Sequence, residues 1–271
     1  MQTTPWQLQV FSKSLKKKQK LAALKKHLGN LREEKCLLIT NGDNNGALNY
    51  HLREFGGIWT WSDLVEVNIP EMEDLLKQRV HHLNHQRFDL PSNYFDCVAT
   101  LEIHEHLDDP ENFNSELVRV TKVGGKIIVI TPCNSEGRII TKLRNSVGMT
   151  KEVYGHVREG YDINEMEEML RDAGIEPYSA SHYSKSFTEL LELLINLTYV
   201  KGLRRNRRGK LSITPTTRNQ VNSISFFFKI YSALYPFLRV MSKLDVLLPF
   251  QQGYVVVVEG RKLATAHQET L

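Results

Sequence analysis

From residue 35 to residue 183, short apolar runs alternate with segments of helical spacing, and this alternation limits the fold more than any other property of the chain. Runs at 35–40, 58–61, 80–83, 95–101, 126–131 and 177–183 read as strands, and 254–259 as a seventh. Between them, helical spacing spans 47–55, 70–78, 110–122 and 164–173. Glycines and prolines punctuate these segments: Gly56-Gly57 and Gly174 close helices, and Asp109-Pro110 opens one. Alternation of this kind predicts an α/β fold: a doubly wound, mostly parallel seven-stranded sheet covered by helices on both faces. Ligands of such sheets bind beyond the carboxyl ends of the strands, where the strand order reverses. The loops after the first, second and fourth strands are therefore the candidate site.

Two regions stand outside the alternation. Residues 10–33 place Leu15, Leu21, Leu24, Leu28 and Leu31 among lysines, the pattern of one basic amphipathic helix. About seventy residues separate the sixth and seventh strands; they contain an apolar helix (187–200), a basic loop (204–210) and an aromatic helix (224–241). The expected organisation is an N-terminal helix over 1–34, a core over 35–183 and a helical insertion over 184–252 before the last strand. A closing strand over 253–262 and a tail over 263–271 complete it.

The net charge of +4 is too small to argue for nucleic acid, and the basic residues cluster at 13–26 and 204–210. Cys36, Cys97 and Cys133 match no zinc or redox spacing and are expected to be buried, reduced thiols. No stretch reaches the ~18 uncharged apolar residues of a membrane span. The nearest, 225–250, is interrupted by Lys229, Arg239, Lys243 and Asp245. The N-terminus lacks the apolar core of a signal peptide, so a cytoplasmic location is expected.

The segment from Phe95-Asp96 through Leu101-Glu102-Ile103-His104-Glu105-His106-Leu107 to Asp109-Pro110 resembles the fourth-strand motif of class I S-adenosylmethionine-dependent methyltransferases. It is most similar to the branch containing ubiquinone and menaquinone methyltransferases. Val123-Gly124-Gly125 followed by the strand to Thr131-Pro132, then His156-Val157-Arg158 and Gly174-Ile175, resemble that family's next elements in order. The resemblance implies a Rossmann-like fold, S-adenosylmethionine as cofactor, and direct in-line methyl transfer to a small or lipid-like acceptor. It implies cofactor contacts from Thr40, Gly42, Asp43, Asn44 and Gly46 in the first loop. Further contacts are implied from Asp63, as ribose acceptor, and from Leu101 and Glu102. The first loop departs from the family: Thr40 replaces an acid and Asn44 a glycine. This departure leaves a second reading open, a catalytically inactive binding or scaffold protein.

His106 or His104 would serve as general base where the acceptor must lose a proton, or would fix the loop by a hydrogen bond. No metal is expected, because His104 and His106 flanking Glu105 in one loop make poor joint ligands. The acceptor is expected to meet Tyr154, His156 and Arg158, with Phe227 and Tyr231 from the insertion. The aromatic helix beside basic residues reads either as a buried lid or as a peripheral contact with the inner face of a membrane through 187–250. Nucleic-acid methylation is disfavoured, since Leu101-Glu102-Ile103-His104 lacks the Asn-Pro-Pro-aromatic or Asp-Pro-Pro-aromatic signature of amino-base methyltransferases. A nicotinamide dehydrogenase is disfavoured because the close Gly-x-Gly-x-x-Gly pattern is missing.

Overall fold

The computed structural model describes residues 4–42, 45–84, 87–204 and 225–264. Seven strands form one sheet: β1 (Lys35–Thr40), β2 (Ile58–Asp63), β3 (Val80–His82), β4 (Phe95–Leu101), β5 (Thr121–Pro132), β6 (Ile175–Tyr183) and β7 (Val255–Lys262). Their order is β3-β2-β1-β4-β5-β7-β6. β1 through β5 pair in parallel, and β7 runs antiparallel between β5 and β6. The order reverses between β1 and β4, so the crevice of this sheet lies beyond Thr40 and Leu101, which face each other in register.

Side chains along each central strand alternate between two apolar layers, because successive residues of a strand point to opposite faces. Cys36 and Leu38 of β1, Ile128 and Ile130 of β5, and Val255 and Val257 of β7 enter one layer. Leu37, Ile39, Ile127, Val129, Val256 and Val258 enter the other. The first layer is covered by α1 (Trp6–Ser12), α2 (Leu15–Leu28), α3 (Ala47–Leu52) and α4 (Ile69–Leu76). The second is covered by α5 (Pro110–Val120) and α7 (Ile163–Asp172); α6 (Ile139–Ser146) lies between β5 and α7 in sequence. Asp109 caps α5 by accepting from Asn112 N at 3.0 Å, with Pro110 in its first turn.

The N-terminal region departs from the expected single helix. It is two helices, broken at Lys13-Ser14, where the Ser14 hydroxyl caps α2 by accepting from Lys17 N at 3.2 Å. The 139–146 helix is absent from the expected elements; it is only eight residues long, and of its residues only Thr141 is buried.

The segment between β6 and β7 carries α8 (Ser186–Arg204) and α9 (Ser225–Ser242), which pack together. α2 is tied to α8: Lys16 Nζ lies 3.0 Å from Glu189, Lys16 N donates to Glu192, and Gln19 Nε2 donates to Thr188 at 3.1 Å. Tyr231 of α9 donates its hydroxyl to the Lys13 carbonyl. The outer face of α9 is not covered. Phe226, Ile230, Leu234 and Phe237 recur at helical spacing on one exposed stripe, Phe237 at 63% exposure, and Phe250 beyond it is fully exposed. Lys229, Arg239 and Lys243 of the same segment are also exposed. All three cysteines are buried and unpaired. Among the described residues no helix is long and apolar enough to cross a membrane.

Candidate functional site

A cavity of about 640 Å³ opens at the carboxyl ends of β1, β4 and β5. Its floor includes Asn41, Gly42, Glu102, Glu105, His106 and Pro132, with Asn68 at one side. Its roof comes from outside the sheet. Lys16 and Lys20 of α2, Tyr154 and His156 of the loop after α6, and Glu192 and Leu193 of α8 close over it. The N-terminal helix and the insertion are therefore both walls of one chamber.

The β1 loop is built around Asp63. Thr40 and Asp63 lie side by side in register at the ends of β1 and β2. The Thr40 hydroxyl donates to Asp63 Oδ2 at 2.6 Å, and the Gly42 amide donates to the same oxygen at 3.0 Å. Asp63 Oδ1 accepts from Val65 N at 2.7 Å. Asp63 is fully buried beneath the loop and does not line the cavity. Gly42 has a φ of +72°, and a Cβ there would stand 2.6 Å from Asn68 Nδ2. Only glycine suits both the turn and the close approach. Asn68 Nδ2 donates to the Gly42 carbonyl at 3.1 Å, and its buried Oδ1 has no hydrogen-bond partner among the described residues. Gly46 lies elsewhere: it begins α3 with φ +78°, and its missing side chain faces Met72 of α4, not the cavity. Asp43 and Asn44 fall outside the described residues.

The β4 loop separates its ionisable groups sharply. Leu101 turns into the first apolar layer. Glu102 takes a left-handed backbone conformation, φ +51°, and faces Lys20 of α2, with Nζ to Oε2 at 2.5 Å. The Lys20 side chain is only 5% exposed and that of Glu102 20%, so α2 is pinned to the floor by a largely dehydrated ion pair. His104 points away from the cavity into the second layer. Its Nε2 donates to Asn114 Oδ1 at 2.8 Å, and its ring packs edge-on against Phe113 and Tyr161. Burial lowers its pKa to about 4, so it stays neutral. Fully buried and outside the cavity lining, His104 is not placed to act as the general base expected of it.

Glu105 and His106 do reach the cavity. Glu105 is 1% exposed; its Oε2 accepts from Thr131 at 3.1 Å, and burial, with Glu102 nearby, raises its pKa well above the usual carboxylate range. His106 Nδ1 donates to the Gly155 carbonyl at 2.9 Å. Its ring meets that of His156 edge-on, with centroids 4.6 Å apart. Tyr154 lies 5.5 Å from the His156 ring, and burial raises its phenol pKa.

Of the residues expected from sequence, Gly42, Glu102, His106, Tyr154 and His156 thus come together around the cavity. Arg158 turns away: it pairs with Glu165 at 2.5 Å, and its guanidinium lies 3.9 Å from the centre of the Tyr161 ring. Tyr231 joins α9 to the α1–α2 junction and does not line the cavity, and the Phe227 side chain is outside what the structure describes. Asn68, Lys20, Glu105 and Glu192 were not singled out from sequence. Glu105 alone had a local signal, its place between two histidines.

Residues 41–129 match the family described as "Methyltransferase domain". No curated protein sequence matches the chain significantly. Among solved structures, a Bacillus halodurans C-125 protein proposed to be a methyltransferase is 19% identical at a TM-score of 0.57, covering 91% of this chain and 100% of its own. Geranyl diphosphate C-methyltransferase from Streptomyces coelicolor A3(2), in complex with Mg2+, geranyl diphosphate and S-adenosyl-L-homocysteine, is 14% identical at a TM-score of 0.55, covering 91% of this chain and 80% of its own. The [4+2]-cyclase SpnF is 13% identical at a TM-score of 0.58, covering 92% and 82%. The chain therefore has the Rossmann-like class I methyltransferase fold, and the methyltransferase-domain match spans the segment from the β1 loop into β5 that forms much of the cavity floor.

Proposed function

We propose that this protein is an S-adenosylmethionine-dependent methyltransferase acting on a small or lipid-like acceptor. The observation that carries the reading is a cavity at the reversal of strand order, floored by the segment that matches the methyltransferase domain. The residues present suit the cofactor. The Asn68 Oδ1, which has no partner among the described residues, and the Asn41-Gly42 backbone would meet the ribose. Lys20 and Glu102 offer an ammonium and a carboxylate to the amino-acid head group, which carries the opposite pair. Asp63 supports this loop from below, where a direct ribose contact had been expected of it.

When bound, the cofactor supplies a methyl group made electrophilic by the sulfonium. The protein's task is then alignment, which can account for much of the lowering of the barrier. Tyr154, His156 and Leu193 would hold the acceptor against the floor. His106 donates through Nδ1, so its Nε2 carries the lone pair and would take a proton from a hydroxyl or amine acceptor. The exposed apolar stripe of α9, on a segment that also exposes Lys229, favours an acceptor collected at an anionic lipid surface.

Calorimetry with S-adenosylmethionine and S-adenosylhomocysteine tests the proposal. Saturable binding with one site per chain is expected. Absence of binding of either at millimolar concentration would overturn it. The inactive scaffold reading would then stand, which the replacement of an acid by Thr40 favours.

A further inference from the structure

His104 and His106 flank Glu105 in sequence, but the fold pulls them apart and substitutes a distant partner. His104 enters the core, whereas His156, fifty positions from His106, is carried against it by the loop after α6. That loop is fixed to the floor by backbone: Val157 N donates to the Glu105 carbonyl at 2.8 Å, and the Gly155 carbonyl accepts from His106. One ligand atom from each of Glu105, His106 and His156 then lies within 4.8 Å of the other two.

Three features distinguish this group from a chance cluster. Glu105 Oε1 is buried and has no hydrogen-bond partner among the described residues, although a buried carboxylate oxygen without one is costly. It points at His106 Nε2 from 3.9 Å, too far for a hydrogen bond. A carbonyl can only accept, so His106 holds its proton on Nδ1 and presents the Nε2 lone pair to Glu105. A histidine whose second nitrogen is tied to a backbone carbonyl is in the tautomer that metal ligation requires.

We propose that Glu105, His106 and His156 form a binding site for one divalent first-row transition cation. Two imidazoles and one carboxylate are the donor set that suits Zn2+, Fe2+, Co2+ or Mn2+, with further positions left open. Those positions face the cavity, where water or an acceptor oxygen would complete the shell. Metal–ligand bonds of ~2.1 Å place neighbouring ligand atoms roughly 3.0–3.4 Å apart. The site would therefore contract on filling, mainly through the half-buried rings of His106 and His156. A cation there would take the His106 lone pair, and an acceptor hydroxyl bound to it would be acidified enough to give its proton to cavity water. The proposal does not depend on methyl transfer, and its test reads the metal.

The full chain is stripped with chelator, and Co2+ is titrated in while visible d–d absorption is followed; Zn2+ is titrated by calorimetry. The expected result is one cation per chain, a Co2+ spectrum with nitrogen-ligand character, and its displacement by Zn2+. His156→Asn and Glu105→Gln should each weaken binding at least tenfold, whereas His81→Asn, remote from the cavity, should not. Because Glu105→Gln alters a buried group hydrogen-bonded to Thr131 and so bears on folding, the loop variant His156→Asn decides the matter. No Co2+ absorption at millimolar metal, with circular dichroism intact, would overturn the site. So would a His156→Asn affinity equal to that of the unaltered protein.

Discussion

Lys20 Nζ lies 2.5 Å from Glu102 Oε2, so a helix that precedes the first strand is clamped to the loop that follows the fourth. Neither group is well solvated, and removing one leaves the other charge poorly compensated. Lys20→Met should lower S-adenosylmethionine affinity about tenfold, or ~1.4 kcal/mol, as calorimetry would measure. A lower Tm at unchanged affinity would mean that the pair only holds α2 in place.

The Asp63 carboxylate organises the β1 loop from beneath, so its loss should cost stability and binding together. Asp63→Ala strands the donors of Thr40, Gly42 and Val65, and should destabilise the fold by about 2–4 kcal/mol in urea unfolding. Thr40→Val removes one of these bonds and should cost about 1 kcal/mol. A fully stable Asp63→Ala protein that has lost only cofactor binding would instead restore the direct ribose role.

The two loop glycines should fail differently. Gly42→Ala carries the same left-handed strain and also meets Asn68 and Val65 at a floor position, so it should lose cofactor affinity as well as stability. Gly46→Ala strains a left-handed residue against Met72, and should mainly lower stability, by roughly 1–3 kcal/mol. Parallel calorimetry and thermal melts separate the two effects.

His104 should make stability depend on pH without making catalysis depend on it. Its folded pKa, about 4, lies below the ordinary 6.5 because burial penalises the cation. Below pH 6.5 the unfolded chain takes up a proton that the folded chain refuses. The stabilising contribution is therefore complete above 6.5 and is lost as pH falls toward 4, at up to about 1.4 kcal/mol per pH unit. In His104→Gln this slope should disappear from urea-unfolding free energies measured across that window.

The α9 stripe should bind anionic vesicles. Sedimentation of the full chain with phosphatidylglycerol vesicles is expected at low salt and should weaken as salt rises. A Phe237→Asp, Phe250→Asp double variant should remain in the supernatant and keep its cofactor affinity. Equal sedimentation of both proteins would exclude this stripe as the contact.

Much of the fold is legible because the central strands are continuous apolar runs ended by turn residues. The ranges 35–40 and 95–101 coincide with β1 and β4. The site is less legible, because its contacts depend on register and on distant elements. Asp63 meets Thr40 only once β1 and β2 align, and Lys20 meets Glu102 across 82 positions. His104 and His106 look equivalent as neighbours of Glu105, but the 3₁₀ turn at His104–His106 sends one ring into the core and the other to the cavity. The break between α1 and α2 was hidden because Ser14, its cap, sits in a run of lysines that reads as one uninterrupted basic face.

The antiparallel β7 has a consequence for biosynthesis. It lies between β5 and β6, and among the described residues β6 has no other neighbour in the sheet. A ribosome emits β6 long before β7, so the sixth strand must wait, unpaired at both edges, while the whole helical insertion is made. Unpaired edges invite association with other chains. Nascent chains arrested before residue 255 should therefore remain bound to chaperones, and should gain protease resistance only when the β7 residues leave the exit tunnel.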